Sequence, residues 1–317
     1  MNERHLYPNP VSVNEAVEHL HNGDVVGMPT ETVYGLAGLA SNDDAVLKIF
    51  QTKGRPRFNP LIVHCADMTM AREIAEFDPL ALKVANAFWP GPLTLVLPKK
   101  ANARISDLVT AGLDTVAIRL PKHPMARRLL STLGQPVAAP SANPSGKLSP
   151  TKAQHVIDAF GGAVPVLDGG ACEAGVESTI LAIENNRIIL LRPGNVTAEM
   201  VESEIGIKVN LPDSGKIVAP GMLKSHYAPN AKVRLNAISP NSGEAFLGFG
   251  SAAFDGPNCR NLSPKADLAE AAKNLFQYLR ELDAMGVASI AVAPIPIEGI
   301  GIAINDRLAR AAADRTT

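Results

Sequence analysis

The segment Lys53-Gly54-Arg55-Pro56-Arg57-Phe58-Asn59-Pro60 sets three cations on alternate residues, and no acid occurs between Lys48 and His64. Cations that close repel one another, so their placement invites an anion. Arginine grips phosphate through paired N–H donors, whereas lysine acts as a point charge. A solvated basic loop is the competing reading, and on either one the loop is expected to be exposed. Arg119 raises a similar question inside the apolar run Thr115-Val116-Ala117-Ile118-Arg119-Leu120-Pro121. A buried guanidinium without an anion costs several kcal/mol, so Arg119 needs either a substrate carboxylate or a protein Asp or Glu. His64, at the end of another apolar run, reads as a core histidine or as a functional one.

Hydroxyl and amide groups gather at three further places. Pro29-Thr30-Glu31-Thr32-Val33-Tyr34-Gly35-Leu36 follows an apolar run directly, where α/β sheets collect ligands; a turn into a helix capped by Thr30 is the alternative. Pro136-Val137-Ala138-Ala139-Pro140-Ser141-Ala142-Asn143-Pro144-Ser145-Gly146 joins small residues, which let a ligand approach the backbone, to polar ones. Ser149, just beyond, is expected to open a helix, a natural place for phosphate or for a cap. Glu177-Ser178-Thr179-Ile180 and Leu191-Arg192-Pro193-Gly194 flank a proposed hairpin, which would bring Ser178 and Arg192 to one end of its ladder. There is no GxxxxGK[ST], HExxH or GxSxG. Gly248-Phe249-Gly250-Ser251-Ala252-Ala253 resembles a dinucleotide fingerprint only in part, because Asp255-Gly256-Pro257 breaks the chain where a helix should follow.

The elements that must hold these groups follow from periodicity. A capping box at Ser12-Val13-Asn14-Glu15 opens a helix that Gly23 ends. Helices are expected at 43–53, 68–75, 80–88, 125–133 and 152–160. Strands are expected at 24–28, 61–65, 93–97, 115–120 and 137–139, and a hairpin at 178–183 and 187–191 turns on Asn185-Asn186. Crossovers and hairpins together predict a mixed sheet. Residues 207–232 read as a linker. Strands at 233–235, 245–248 and 289–293, with helices at 266–285 and 305–313, predict a small second α/β domain. The divisions expected are therefore a catalytic domain at 1–206, a linker or lid at 207–232 and a C-terminal domain at 233–317.

Composition removes several classes. No apolar run approaches the ~18 residues of a membrane span. The polar start, Met1 to Pro10, gives no expectation of a signal peptide. Cys65, Cys172 and Cys259 are far apart and form no CxxC pair, so neither a disulfide framework nor a zinc ribbon is indicated, and a reducing cytoplasm is expected. The net charge of −1 gives no global pull toward nucleic acid or membrane. The 25 prolines exceed the usual ~5% and crowd the polar clusters, which suggests loops stiffened before any ligand arrives.

Taken together and in order, the motifs resemble the threonylcarbamoyl-AMP synthases of the YrdC family. The residues that carry the resemblance are Pro29 to Leu36, Lys53-Gly54-Arg55-Pro56, Asn59-Pro60-Leu61 with His64, Trp89-Pro90-Gly91-Pro92-Leu93-Thr94, Ala117 to Pro121, Ala139 to Gly146 and Ser178-Thr179-Ile180. Pro220-Gly221-Met222-Leu223-Lys224-Ser225-His226-Tyr227-Ala228-Pro229 and Ile304 to Ala312 resemble the long, two-domain form. The resemblance implies a twisted mixed sheet around a concave cavity, followed by a small Rossmann-like α/β domain. It implies synthesis of threonylcarbamoyl-adenylate and pyrophosphate from L-threonine, bicarbonate and ATP, for tRNA modification completed by threonylcarbamoyl transferase proteins. Mg²⁺ would arrive on the ATP phosphates. Lys53 and Arg55 would neutralise phosphate. Asn59, Thr115 (through its backbone), Ser141, Ser149 and Arg192 would hold the nucleotide with Arg55, and Tyr227 would close over it. Thr32, His64, Arg119, Ala139 and Ser178 would form the threonine pocket. A module that binds double-stranded RNA with the same basic concavity is the alternative, and direct tRNA contact is left open.

Overall fold

The computed structural model describes residues 10–212, 226–252 and 254–314. Ser12 and Glu15 form a reciprocal cap, the carboxylate accepting the Ser12 N–H at 2.7 Å, and so start α1 (Val13–His21). There follow β1 (Val26–Met28), β2 (Gly35–Leu39), α2 (Asp43–Lys53), β3 (Ile62–His64), α3 (Met68–Ile74), α4 (Pro79–Phe88) and β4 (Leu93–Pro98). The chain continues through a single turn, α5 (Asp107–Thr110), then β5 (Thr115–Arg119), α6 (Pro124–Leu133), β6 (Val137–Ala138), α7 (Ala153–Phe160), β7 (Thr179–Glu184), β8 (Arg187–Arg192), α8 (Ala198–Ile205) and β9 (Val209–Asn210).

These nine strands form one sheet in the order β1-β2-β6-β3-β5-β4-β7-β8-β9. The pairs β3/β5, β4/β7 and β8/β9 are parallel, and the others antiparallel, so the sheet is mixed as the connections required. The parallel register sets His64 opposite Arg119, each the last residue of its strand. Two residues that sequence separates by more than fifty positions therefore leave the sheet side by side, at the strand ends where α/β proteins bind ligands. An isolated bridge between Gly35 and Ser141 continues the β2/β6 ladder toward the other end, level with the residues that lead into β3. A Cβ on Gly35 would lie 3.1 Å from that of Ala139, so the close approach of these two backbones depends on glycine.

A second, all-parallel sheet contains β10 (Lys232–Arg234), β11 (Ala245–Gly248), β12 (Cys259–Asn261) and β13 (Ser289–Val292), in the order β10-β13-β11-β12. It packs with α9 (Leu268–Asp283) and α10 (Gly301–Ala312). Its apolar core does not end with this sheet. Val33, Leu148 and Val176 from loops of the first sheet belong to the same cluster as Tyr227, Phe246 and Phe276. Gly175, at φ +72°, takes its loop so near α9 that a Cβ would meet the Ala272 carbonyl at 2.4 Å. Burial of each such Leu, Val or Phe contributes ~1.5–3 kcal/mol, so this shared core ties the second sheet to the rim of the first.

Several elements differ from expectation. No helix follows Thr30: its hydroxyl accepts from the Thr32 and Val33 N–H groups, both at 3.2 Å, and the chain enters β2. Ser149 does not open a helix, since α7 starts at Ala153 after Lys152. Helix α10 starts at Gly301, four residues earlier than expected, and glycine stands there because a Cβ would meet the Pro296 carbonyl at 2.1 Å. The partial fingerprint at 248–253, by contrast, behaves as expected: the next described helix is α9. Part of the linker motif, from Pro220 to Ser225, lies outside the described residues.

Candidate active site

A cavity of about 50 Å³ lies along β3 from Pro60 to His64 and reaches Arg119 at the end of β5, lined by residues of both sequence halves. Thr32, Arg55, His64, Arg119, Ala139, Ser141, Ser178, Arg192 and Tyr227 all face it, together with Glu177 and His226. Lys53, Asn59, Thr115 and Ser149, also expected at the site, are not on its wall.

At one side, Arg119 donates to Glu31 at 2.7 Å and to the Thr32 hydroxyl at 2.9 Å. The partner sought for this buried arginine is thus a protein carboxylate. Glu31 also accepts from the Lys122 N–H at 3.1 Å. Burial would raise the Glu31 carboxyl, but Arg119 outweighs it and holds the group below the usual carboxylate range. The pairing is incomplete, because the buried Nε of Arg119 has no hydrogen-bond partner. That N–H remains available to a second anion. His64 stands beside the pair. Its Nδ1 lies 3.2 Å from the Ile62 carbonyl, which fixes a proton on that nitrogen and leaves Nε2 as an acceptor. Burial, reinforced by Arg119, pushes its pKa down to about 3, so the ring is neutral at physiological pH.

The other side is more cationic. Arg55 donates to the backbone carbonyls of Asn59 at 3.2 Å and Pro60 at 2.9 Å. Burial and the neighbouring Arg192 push it down to about 10. Arg192 donates to the Ser178 carbonyl at 3.0 Å and to its hydroxyl at 3.1 Å, and that hydroxyl also shares a hydrogen bond with Thr94 at 2.8 Å. Ser178 and Arg192 therefore meet at the hairpin end, where the ladder pairs Ile180 with Arg192. Glu177 is the acid on this wall. It accepts from the Ser149 hydroxyl and, at 2.9 Å, from Arg307 of α10. Burial opposes its ionisation, yet Arg307 and Arg192 prevail and keep its carboxyl low.

The cations expected to be exposed are not. Lys53 and Arg55 are both buried, while Gly54, Arg57 and Phe58 face solvent. Lys53 turns its ammonium to the carbonyls of Ser141 and Asn143, which explains its absence from the wall. Burial, with Arg55 adding repulsion, sets its pKa well below the ordinary lysine value. Replacing Lys53 would therefore strip two carbonyls of a donor, and the exposure expected of this loop does not hold for it. Asn59 is buried with both side-chain polar atoms unpartnered. Tyr227, buried and at φ +62°, packs edge-on against His226 at 4.1 Å and lies under the Arg307 guanidinium at 5.5 Å. His226 is neutral as well, since burial lowers it to about 3.

Sequence reading gave no role to Glu31, Glu177 or Arg307. Glu31 and Glu177 sat inside motifs already singled out, and the stated need of a buried arginine for an anion was the available signal. Arg307 carried none beyond its place in the family-like tail.

The nine-stranded mixed sheet with a cavity along its central strands defines a YrdC-type enzyme fold. A family model named for Sua5, YciO and YrdC and described as "Telomere recombination" matches residues 18–194. A second, described as "Threonylcarbamoyl-AMP synthase, C-terminal domain", matches residues 196–313. The threonylcarbamoyl-AMP synthase of Bacillus subtilis is 40% identical over 98% of this chain and 95% of its own. The structure of Pyrococcus abyssi Sua5 complexed with L-threonine superposes with a TM-score of 0.87 at 38% identity, over 95% of this chain and 94% of that one. Escherichia coli YciO, at 21% identity and a TM-score of 0.51, covers 57% of this chain and 88% of its own, and shares the fold. The chain belongs to the Sua5/YrdC family of threonylcarbamoyl-AMP synthases, in its two-domain form.

Proposed function

We propose that this chain joins L-threonine, bicarbonate and ATP into L-threonylcarbamoyl-adenylate, releases pyrophosphate and so supplies tRNA threonylcarbamoylation by other proteins. Family membership carries the class of reaction and the use of ATP. The observation that fits the substrates to this cavity is its division of charge. Arg119 is balanced by Glu31, beside a neutral His64, which suits an amino acid that brings one charge of each sign. Arg55 and Arg192 face Glu177, an acid already paired with Arg307, which suits a polyphosphate.

On this reading the Nε of Arg119 receives the threonine carboxylate, and the Thr32 and Ser178 hydroxyls and His64 complete that pocket with Ala139. The carbamate formed from threonine and bicarbonate attacks the α-phosphate, and Arg55 neutralises the developing charge without a protein nucleophile. Arg192 and Ser141 hold the nucleotide from the wall. Lys53, Asn59, Thr115 and Ser149 contribute from behind it, Lys53 by fixing the 141–143 backbone. The acid on the phosphate side is committed to Arg307, so Mg²⁺ would be held by phosphate oxygens and water.

A space of about 50 Å³ holds only a few waters, far less than a nucleotide. His226 and Tyr227 stand on its wall, and their withdrawal would enlarge it for ATP, which supports a lid role for residues 207–232 between domains at 1–206 and 233–317. Burial of Lys53 and Arg55 leaves no basic track there for duplex RNA and disfavours that alternative. None of the described helices is long and apolar enough to cross a membrane, and a cytoplasmic location is proposed with the tRNA substrate in mind.

The test is pyrophosphate release by the purified full-length chain with ATP, Mg²⁺ and bicarbonate. Threonine should stimulate it strongly and serine far less, with a threonylcarbamoyl-adenylate mass in the products. Release unaffected by threonine would refute the proposal.

A further inference from the structure

Arg307 lies on α10, in the second sheet's domain, yet it is among the most deeply buried side chains of the molecule. Its hydrogen bonds lead back to the first sheet. Nε donates to the Glu177 carboxylate at 2.9 Å, and Nη1 to the Pro193 carbonyl at 2.8 Å and to Asp306 at 2.8 Å. Glu177 stands just before β7, and Pro193 just after β8. One planar guanidinium thus spans the two chain segments at the mouth of the β7–β8 hairpin.

That mouth is tightly built. A Cβ on Gly194 would meet the Thr179 nitrogen at 2.4 Å and the Glu177 carbonyl at 2.7 Å, so the two segments already lie in backbone contact. Between them sit Ser178 and Arg192, held to one another by two hydrogen bonds. Glu177 extends the chain of contacts by accepting from the Ser149 hydroxyl with its other oxygen. Burial disfavours a charged Arg307, but Tyr227, Glu177 and Asp306 together raise its pKa above the usual arginine value. The cation is permanent and Glu177 is its counter-ion.

We propose that Arg307 is a positioning residue of the nucleotide site, acting through Glu177 and Pro193 to set Ser149 and Arg192, so that the C-terminal domain completes the active site. The proposal rests on the functional reading above for the identity of the ligand. A planar fork matters here more than a charge does, because two separate acceptors must be held at once. Residues that act through one another also give non-additive losses.

The experiment compares Arg307→Met, Arg307→Lys, Glu177→Gln and the Arg307→Met/Glu177→Gln double variant in the full-length chain. Steady-state pyrophosphate release is measured against ATP and against threonine, and ATP binding by calorimetry. Arg307→Met should raise the KM and Kd for ATP at least tenfold, with the KM for threonine within threefold. Arg307→Lys should recover part of the loss, and the double variant should be within threefold of Arg307→Met. A folded Arg307→Met protein with ATP constants within twofold of wild type overturns the proposal. So does an equal rise in both KM values, which a merely structural role would give, or a double variant whose loss is the product of the single ones. Should Arg307→Met fail to fold, Arg307→Lys decides by the same ATP constants. Wild-type protein that binds ATP without releasing pyrophosphate on addition of threonine would sink the functional reading alone, because the Kd comparison still tests Arg307.

Discussion

The two sides of the cavity solve opposite electrostatic problems with the same residue type. On one, Arg119 is matched by Glu31 within the first sheet's own loops, and Nε is the guanidinium nitrogen left without a partner among the described residues. On the other, Arg55 has only backbone carbonyls among its hydrogen-bond partners, and the nearby acid Glu177 is engaged by an arginine from another domain. A balanced pair gains little from a second full anion, whereas an unbalanced group of cations gains much. The side a substrate occupies is thus set by how far each arginine has been neutralised before it arrives. Arginine count alone would not distinguish them.

The strongest way to break this contrast is to remove the unbalanced cation. Arg55→Ala should lower kcat/KM for ATP by ~10²–10³, the range for loss of one preorganised donor to developing charge. It also leaves the Asn59 and Pro60 carbonyls without a donor, at a cost of ~1–3 kcal/mol each, so urea unfolding should show a loss of stability of ~2–6 kcal/mol. A variant that unfolds normally and turns over at the wild-type rate would refute the assignment of this side to phosphate.

Removing the balanced cation should act on the other substrate. Arg119→Gln is expected to lower kcat/KM for threonine by ~10–100-fold, as for a hydrogen bond to a charged group, with the KM for ATP within threefold. Stability should fall by ~3–5 kcal/mol, since Glu31 becomes a buried, unpaired carboxylate. A shared loss for both substrates would erase the distinction between the two sides.

How much of this was open to sequence reading depended on the range of the interaction. Helices with local caps were legible: Ser12, Asn42, Asp67 and Asp78 each accept an N–H three residues on, and α1 to α4 lie where periodicity put them. β2 was not legible, because Gly35-Leu36-Ala37-Gly38-Leu39 is buried at every position and shows no alternation. Edge strand β12, Cys259-Arg260-Asn261, lacks an apolar pattern altogether. At the site, residue types announced anion binding, yet the burial of Lys53 involves a loop some ninety residues away. The partners Glu31 and Arg307 lie 88 and 130 residues from the groups they neutralise, and no local pattern encodes such a pairing.

Each side also holds one neutral histidine, which gives the contrast a pH signature. His64 and His226 have pKa values near 3 in the folded chain, against 6.5 for an ordinary histidine. Between those values the unfolded chain binds protons that the native one does not, so stability rises with pH there. The contribution is complete above about 6.5 and is lost on acidification, by ~3 kcal/mol for the two together between pH 6.5 and 5. His155, which burial lowers to about 4, adds a similar contribution, so urea midpoints measured across that window should fall accordingly and His64→Gln should remove about a third of the slope. A flat profile would mean that the folded chain already carries these protons, with imidazolium beside Arg119.

The smallest expected effect isolates burial from charge. Arg57 shares its loop with Arg55, carries the same guanidinium and lies two residues away, but faces solvent. Arg57→Ala should change kcat/KM for ATP less than twofold and stability by no more than ~0.5 kcal/mol, as at an exposed surface position. If it instead lowers ATP kcat/KM tenfold, the loop must turn inward when the nucleotide binds. The phosphate side would then be built by ligand-driven rearrangement, while the threonine side, already locked by Glu31 and Thr32, would be the only preformed half.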